Sequence, residues 1–277
     1  MPRVTVVIAT YNWSTVLPYS IASVLEQTFT DFELLVVGDA CTDDSGEVVN
    51  AIGDPRVRWI DLQPRAGHQF GPNNEGIRQA RGEFIAYLGH DDLWLPHHLS
   101  SAVAALDDGF DVAHTIVARI GPDDAPVAPY RVQHRPGVWL PPSSVVHRKR
   151  VPDTVGLWRN FRELHEPSEA EFLYRAHRAG FRFTHVPRLT VLKFPASIRR
   201  DVYVSRPAHE QQAWLQRIRT NPERIEVLQL ASIVSALSRP PAPTLASRIR
   251  DRLRGVVRMF KRKGARIEEM QRFKGIR

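Results

Sequence analysis

The sequence predicts an α/β fold, a mostly parallel central sheet with helices on both faces and a helical extension at the C-terminal end. Two observations carry this. Short apolar, β-rich runs at residues 4–9, 32–37, 57–62 and 84–88 alternate with segments of helical spacing. Polar and acidic residues then gather just after those runs, at Thr10-Tyr11-Asn12, Gly38-Asp39, Pro64-Arg65 and Gly89-His90-Asp91-Asp92. In open α/β sheets, ligands bind outside the carboxyl ends of the strands.

The elements follow in order. Residues 4–9 read as a buried strand. Ser14 can cap a helix whose Leu17, Ile21, Val24 and Leu25 keep helical spacing. A strand at 32–37, a short helix at 43–52 and a third strand at 57–62 come next. A helix over 73–81 opens on Asn73 and Asn74, which can cap it or touch a ligand beside it, the cap being the preferred reading. The fourth strand, 84–88, precedes a helix over 96–106 that begins at Pro96-His97-His98. Residues 121–142 are Pro-rich and read as a loop over the body. A strand at 144–147, a helix at 168–179 and strands at 181–186 and 190–194 complete the core. Asn221-Pro222-Glu223 pairs an N-cap with Pro at the first helical position. The expected division is an α/β domain over 1–203, a helical extension over 204–238, a Pro-rich linker over 239–243 and a basic amphipathic tail over 244–277.

The chain has 277 residues, 43% apolar and 25% charged, which is ordinary for a globular protein. Its one cysteine, Cys41, cannot form an internal disulfide and has no Cys/His ligand spacing around it. A reducing compartment and no structural zinc are expected. No apolar run reaches the ~18 residues of a membrane span, and the run after Arg3 is too short for a secretory signal. The expected location is the cytoplasm. The net charge of +8 sits in the tail, where residues 244–277 hold 12 Lys/Arg and 3 Asp/Glu. The remaining body is close to neutral, so nucleic acid is not an expected partner.

Three blocks of sequence together resemble the opening of family 2 inverting glycosyltransferases. The first is Val4-Thr5-Val6-Val7-Ile8-Ala9-Thr10-Tyr11-Asn12, followed by Ser23-Val24-Leu25-Glu26-Gln27-Thr28 and Asp31-Phe32-Glu33-Leu34-Leu35-Val36-Val37. The second is Asp39 with Thr42-Asp43-Asp44. The third runs from Ala80-Arg81-Gly82-Glu83-Phe84-Ile85-Ala86-Tyr87-Leu88 into Asp91-Asp92-Leu93-Trp94. The likeness is strong over about the first hundred residues and moderate to about residue 195. It implies the GT-A fold, a single Rossmann-like domain that binds a nucleotide-sugar. Two positions depart from the family pattern. Gly38 stands where the family carries the first of two acids, and Gly89 stands at the first acid of its Asp-x-Asp motif.

The resemblance implies roles that the chemistry can be checked against. A nucleoside diphosphate leaves only when its charge is neutralised, and a divalent cation held by a carboxylate does this. Mn²⁺ or Mg²⁺ suits a site with one or two carboxylates. Asp91 matches the metal-contacting acid; its structural alternative is a helix N-cap, which Asp92 could also serve. Thr10, Tyr11, Asn12 and Asp39 match nucleobase and ribose contacts, Asp39 being otherwise a turn residue. Arg65 faces a base or phosphate, or is a solvated loop residue, and His90 could substitute for the acid missing at Gly89.

An inverting transfer needs a general base for the acceptor hydroxyl. The family's acid lines up with Glu169, in the first turn of its helix; Glu166 competes. Glu171 has capping-box spacing from Ser168 and reads as structural. Expected substrates are a UDP-, TDP- or GDP-sugar and a glycan or lipid-linked acceptor. Leu245, Ile249, Leu253, Val256, Val257 and Phe260 recur at helical spacing among basic residues, so 244–263 can lie on an anionic membrane or pack on protein. Rival classes fit less well. A dinucleotide oxidoreductase lacks its glycines at Ala9-Thr10-Tyr11-Asn12, and a nucleotidyltransferase lacks a Gly-rich or basic phosphate loop. A catalytically degenerate nucleotide-sugar-binding homologue stays open, because of Gly38 and Gly89.

Overall fold

The computed structural model describes residues 1–125, 127–130 and 139–238. The chain divides into two compact units, Met1–Ala236 and Leu237–Arg277. The expected linker at 239–243 and basic tail at 244–277 lie outside the described residues.

The strands are β1 (Val4–Thr10), β2 (Phe32–Asp39), β3 (Val57–Leu62), β4 (Phe84–Gly89), β5 (Leu93–Trp94), β6 (Val112–Arg119), β7 (Val145–Arg148) and β8 (Phe183–Lys193). The helices are α1 (Leu17–Leu25), α2 (Ser45–Asn50), α3 (Phe70–Gln79), α4 (His98–Asp107), α5 (Arg150–Val155), α6 (Ser168–Arg178), α7 (Val202–Ser205), α8 (His209–Thr220) and α9 (Pro222–Ser238). One sheet takes the order β3-β2-β1-β4-β7-β6-β8-β5. β3, β2, β1 and β4 run parallel, as do β6 and β8, while β7 and β5 are antiparallel to their neighbours.

The central strands β1, β2 and β4 are buried on both sides, which is why they read as continuous apolar runs, whereas the edge strand β3 leaves Arg58 and Asp61 exposed. Side chains alternate across the sheet. Val4, Val6, Ile8, Leu34 and Val36 face Leu17, Ile21 and Val24 of α1 and Leu99, Val103 and Leu106 of α4. Val7, Leu35, Val37, Ile85 and Tyr87 face Ile77 of α3 and Phe172, Leu173 and Ala176 of α6. At the far edge, Trp214, Leu215 and Ile218 of α8 and Ile225 and Ile233 of α9 pack with Leu93, Leu95, Leu189, Leu192 and Phe194. Asn221 caps α9 through Oδ1, which accepts the Arg224 N–H at 2.9 Å.

Several expected boundaries shift. The strands expected at 181–186 and 190–194 are one strand, β8. Its pairing to β6 slips between His114↔His185 and Ile116↔Leu189, where Pro187 has no N–H to offer the ladder. Ser14 does not cap α1. Val16 is the residue before the helix and Trp13 O accepts the Val16 and Leu17 N–H groups, while the Ser14 N–H donates to Asp43. Helix α3 begins at Phe70, three residues before the expected Asn73.

One buried acid ties the parallel half together. Glu33, buried near the amino end of β2, accepts from Thr5 Oγ1 at 2.8 Å, from the Arg81 N–H at 2.8 Å and from Arg81 Nε at 2.7 Å. Burial alone would raise its pKa, but the Arg81 and Thr5 contacts outweigh it and the pKa falls below the ordinary value. A depressed folded pKa gives stability that is fully present above the unfolded value, about 4.3, and is lost as pH falls through the folded one. Glu33→Gln should therefore flatten the acid limb of stability below about pH 4.3. Urea melts of both proteins between pH 3 and 7 check this.

Candidate active site

The chain runs outward from β1 to β2 and β3, then crosses back to β4 on the other side of β1. That reversal leaves a crevice at the carboxyl ends of β1 and β4. Ala9 pairs with Gly89 and Thr10 with Gly38, so the loops after β1, β2 and β4 emerge side by side. A cavity of about 700 Å³ opens there, walled by Thr10, Tyr11, Asp39, Arg65, His90 and Asp91 from these loops and by residues 193–206 opposite.

Tyr11 and Arg65 form one wall, with the guanidinium carbon 3.6 Å from the ring centroid. The Thr10 hydroxyl is buried and has no hydrogen-bond partner among the described residues. Asp39 is buried, its Oδ1 accepting the Ala66 N–H at 2.7 Å and its Oδ2 the Gly67 N–H at 2.8 Å. It therefore shapes the loop after β3 and keeps one edge on the cavity. Asn12 does not line the cavity. It sits at φ +56, its Oδ1 accepting the Thr42 N–H at 2.7 Å and its Nδ2 donating to Thr42 Oγ1 at 2.9 Å, which ties the loop after β1 to the loop after β2. The site thus has Asn12 as a brace rather than as wall.

His90 stacks on Trp13, with centroids 4.5 Å apart, and its Nδ1 lies 3.1 Å from the Ala9 carbonyl oxygen. The two acids that follow differ sharply. Asp92 is fully buried and points away to structure. Its Oδ2 accepts from Ser143 Oγ at 2.5 Å and from Lys193 Nζ at 2.8 Å, and its Oδ1 accepts the Phe194 N–H at 3.2 Å. Asp91 lines the cavity, and its carboxylate takes no hydrogen bond from another residue among the described contacts. Burial, then repulsion from Asp92, holds the Asp91 pKa above the usual carboxylate range. Neither acid caps the following helix; the residue before α4 is His97, without a side-chain cap.

The two glycines have physical reasons here. A Cβ on Gly38 would overlap the Trp59 ring, and one on Gly89 would fall 2.8 Å from Asp92 Oδ2. An acid at residue 89 would press a third carboxylate against Asp91 and Asp92.

Glu169 lies in the first turn of α6, buried behind the wall. Its Oε1 accepts from Trp139 Nε1 at 2.5 Å and its Oε2 from Gln69 Nε2 at 3.1 Å, and Gln69 itself lines the cavity. Glu166 is exposed and off the cavity. The capping box is absent: α6 starts at Ser168, whose hydroxyl is unpartnered among the described residues, while Glu171 binds Arg175 and Arg159. Asn73 and Asn74 are not caps either. Both are buried inside α3, and Asn74 bonds the Trp158 backbone through both its amide atoms, at 2.8 and 2.9 Å.

Further wall residues went unmarked in the sequence. Lys193 ends β8 on the same side as β1 and β4, so the strand-end rule that marks Asp39 would have found it. Trp13 follows Asn12 directly. His68 also lines the cavity; burial lowers its pKa, with Glu169 and Asp39 pulling weakly the other way. Tyr203 and Arg206 carry no local signal. They arrive by tertiary closure, in which Thr15 Oγ1 donates to the Arg206 carbonyl at 2.8 Å.

A divalent cation has no cluster of three or more His, Cys, Asp or Glu to hold it among the described residues. Among the described residues, two carboxylates line the wall, and of these Asp91, unlike Asp39, takes no hydrogen bond from another residue. That fits a cation which takes its remaining ligands from substrate oxygens and water.

Comparisons with known proteins agree with this geometry. The family model described as Glycosyl transferase family 2 matches residues 5–184. A GalNAc(5)-diNAcBac-PP-undecaprenol beta-1,3-glucosyltransferase of Campylobacter jejuni is 33% identical over 115 residues, 40% of this chain and 36% of that protein. The succinoglycan biosynthesis protein ExoO of Rhizobium meliloti is 39% identical over 107 residues, 39% of this chain and 30% of that protein. The alignments thus span about a third of those relatives' length. Staphylococcus aureus TarS 1–349 in complex with UDP-GlcNAc superposes with TM-score 0.59 at 21% identity, over 86% of this chain and 72% of that one. The mannosyltransferase PcManGT from Pyrobaculum calidifontis, in complex with GDP-Man and Mn²⁺, superposes with TM-score 0.58 at 16% identity, over 92% and 81%. At such identities the likeness shows the fold, and that fold is GT-A.

Proposed function

The chain belongs to glycosyl transferase family 2, and from that premise we propose that it moves a sugar from a nucleotide-diphosphate sugar to an acceptor hydroxyl, with inversion and with Mn²⁺ or Mg²⁺. The observation that carries this is Asp91, an open carboxylate on the same cavity wall as Tyr11, Arg65 and Asp39 at the switch point of the sheet. The Mn²⁺ and GDP-Man of the P. calidifontis complex and the UDP-GlcNAc of the S. aureus complex support the ligand class.

Tyr11 offers a π-face to a nucleobase, with Arg65 stacked on it. Asp39, held by two backbone N–H groups, offers its remaining lone pairs to base or ribose. Asp91 would hold the cation, which supplies Lewis-acid neutralisation of the leaving diphosphate. Glu169 accepts the acceptor's proton at Oε2, the atom that Gln69 orients from the cavity wall. The relatives' names make a lipid-linked or growing glycan the acceptor to try first; UDP-, TDP- and GDP-sugars are the donors to try, UDP-GlcNAc and GDP-Man being the ligands of the S. aureus and P. calidifontis complexes. The protein then works on the cytoplasmic face, with 244–263 against the membrane.

Release of nucleoside diphosphate from UDP-, TDP- and GDP-sugars, with Mn²⁺ and an undecaprenyl diphosphate-linked glycan as acceptor, tests the reading. One donor should turn over. Glu169→Gln should then lose about 10²–10⁴ in kcat with unchanged nucleotide affinity. Full turnover by that variant would remove Glu169 as the base.

A further inference from the structure

Trp139 touches Glu169, and the roles above give it no task. Its indole Nε1–H donates to Glu169 Oε1 at 2.5 Å, short as suits a donor facing a charged oxygen. Gln69 Nε2 donates to the other oxygen, Oε2, at 3.1 Å. Each oxygen of this buried carboxylate thus meets one uncharged donor, while Arg159 and Arg175 pair with Glu171 instead. Among the described residues no Lys or Arg pairs with Glu169. Across from it lies His68, whose pKa Glu169 raises while burial and Arg162 lower it. Leu140, Trp158, Phe172 and Leu173 close the inner side, with the Tyr87 hydroxyl bonded to His147 at 2.8 Å. Trp139 also stands on a fixed root. Leu140 beside it is in the core, and residues 142–144 form one turn whose Ser143 accepts from Trp94 Nε1 at 2.7 Å and donates to Asp92. The Tyr130 ring, which lines the cavity, meets the indole edge-on with centroids 5.2 Å apart.

We propose that Trp139 is a positioning residue for the base: its N–H fixes one oxygen of Glu169, leaves Oε2 to Gln69 and the cavity, and sets how readily the carboxylate takes a proton. This rests on Glu169 as the base and deepens that reading. The last torsion of a glutamate is broad, so an unheld carboxylate samples many orientations. Donors on both oxygens narrow that range, and proton transfer depends on such placement. A hydrogen bond to the ionised form also lowers a carboxyl pKa. The helix dipole at the first turn of α6 acts in the same sense. Removing the indole donor therefore raises the Glu169 pKa. Turnover needs the ionised base and fails as pH falls through that pKa, so a raised value moves the failure to higher pH.

Two measurements on the full chain test it. In proton–nitrogen correlation spectra without substrate, one of the six tryptophan indole resonances should follow a single carboxylate titration and stand still in Glu169→Gln. This needs no change at Trp139. If no indole resonance loses its titration in Glu169→Gln, the contact is absent and the inference falls, while the base reading stands. In turnover against pH, the acid limb of kcat in Trp139→Phe should move up by about one pH unit, with the donor KM unchanged. A kcat lowered equally at every pH, with the limb unmoved, would show that Trp139 only packs against its neighbours and would overturn the inference. Full turnover by Glu169→Gln would remove the base reading and the positioning role with it. The indole titration separates the two failures, because it reads the contact whether or not a sugar is transferred.

Discussion

Asp92→Ala should cost the fold about 3–5 kcal/mol, the largest stability effect expected of any single acid here. The carboxylate is fully buried and collects a hydroxyl, an ammonium and a backbone N–H from three separate segments, Ser143, Lys193 and Phe194. Removing it leaves Lys193 as an uncompensated cation in a largely enclosed place and the Phe194 N–H without its acceptor. Against a total stability of about 5–15 kcal/mol, such a loss takes much of the margin. Urea denaturation should show a lower midpoint with an unchanged slope. Lys193→Met placed on top of Asp92→Ala should recover part of the loss, because the cost lies in the stranded partner; a double-mutant cycle reads that coupling. A stability loss of less than about 1 kcal/mol, read from the midpoint shift times the slope, would mean that the three segments hold together without Asp92.

Asp91→Asn should do the opposite to stability and far more damage to function. In metal-free buffer the variant should be as stable as wild type or more so at pH 7. The folded pKa of Asp91 is raised, first by burial and then by Asp92, so its ionised form disfavours the fold above that pKa. Asparagine removes the charge and keeps the shape. Turnover should fall by about 10³ under the proposed role, in which the Lewis acid that Asp91 would anchor contributes several kcal/mol to the departure of a diphosphate. Side-by-side melts and rates of the two variants separate neighbours one residue apart: Asp92 builds the wall, and Asp91 has the proposed task of working on it. Retention of metal-stimulated turnover by Asp91→Asn would end its role.

Much of the fold was legible because the central strands β1, β2 and β4, buried on both faces, leave unbroken apolar runs. All four strands expected in the first hundred residues are present, and their carboxyl ends do form the cavity. What local pattern could not carry was partner choice. Ser168 and Glu171 had the right spacing for a reciprocal cap, yet Arg175 and Arg159 claim the glutamate. Asn73 and Asn74 looked like caps, yet α3 starts a turn earlier, and Asn74 is spent on the distant Trp158 backbone. Pro187 split one expected strand into two, although a bulge lets β8 pass it. The resemblance singles out Asp91 over Asp92, but local pattern leaves either free to cap the next helix. Their difference comes from Lys193 and Ser143, which are 101 and 51 residues from Asp92. Gly38 and Gly89 read as lost acids, while the packing shows each as the residue that fits beside Trp59 and Asp92. Tyr203 and Arg206 lie on a short turn that only the closed chain brings to the site.

The measurement that bears most directly on the central claim is a thermal-shift titration with UDP, TDP, GDP and NAD, each with and without Mn²⁺, on wild type and Asp91→Asn. A ligand that binds only the folded state raises Tm with its occupancy. The account predicts that one nucleoside diphosphate stabilises wild type, that Mn²⁺ enlarges the shift, and that this enlargement disappears in Asp91→Asn. A protein that responds to NAD alone, or whose Mn²⁺ effect survives in Asp91→Asn, would contradict it.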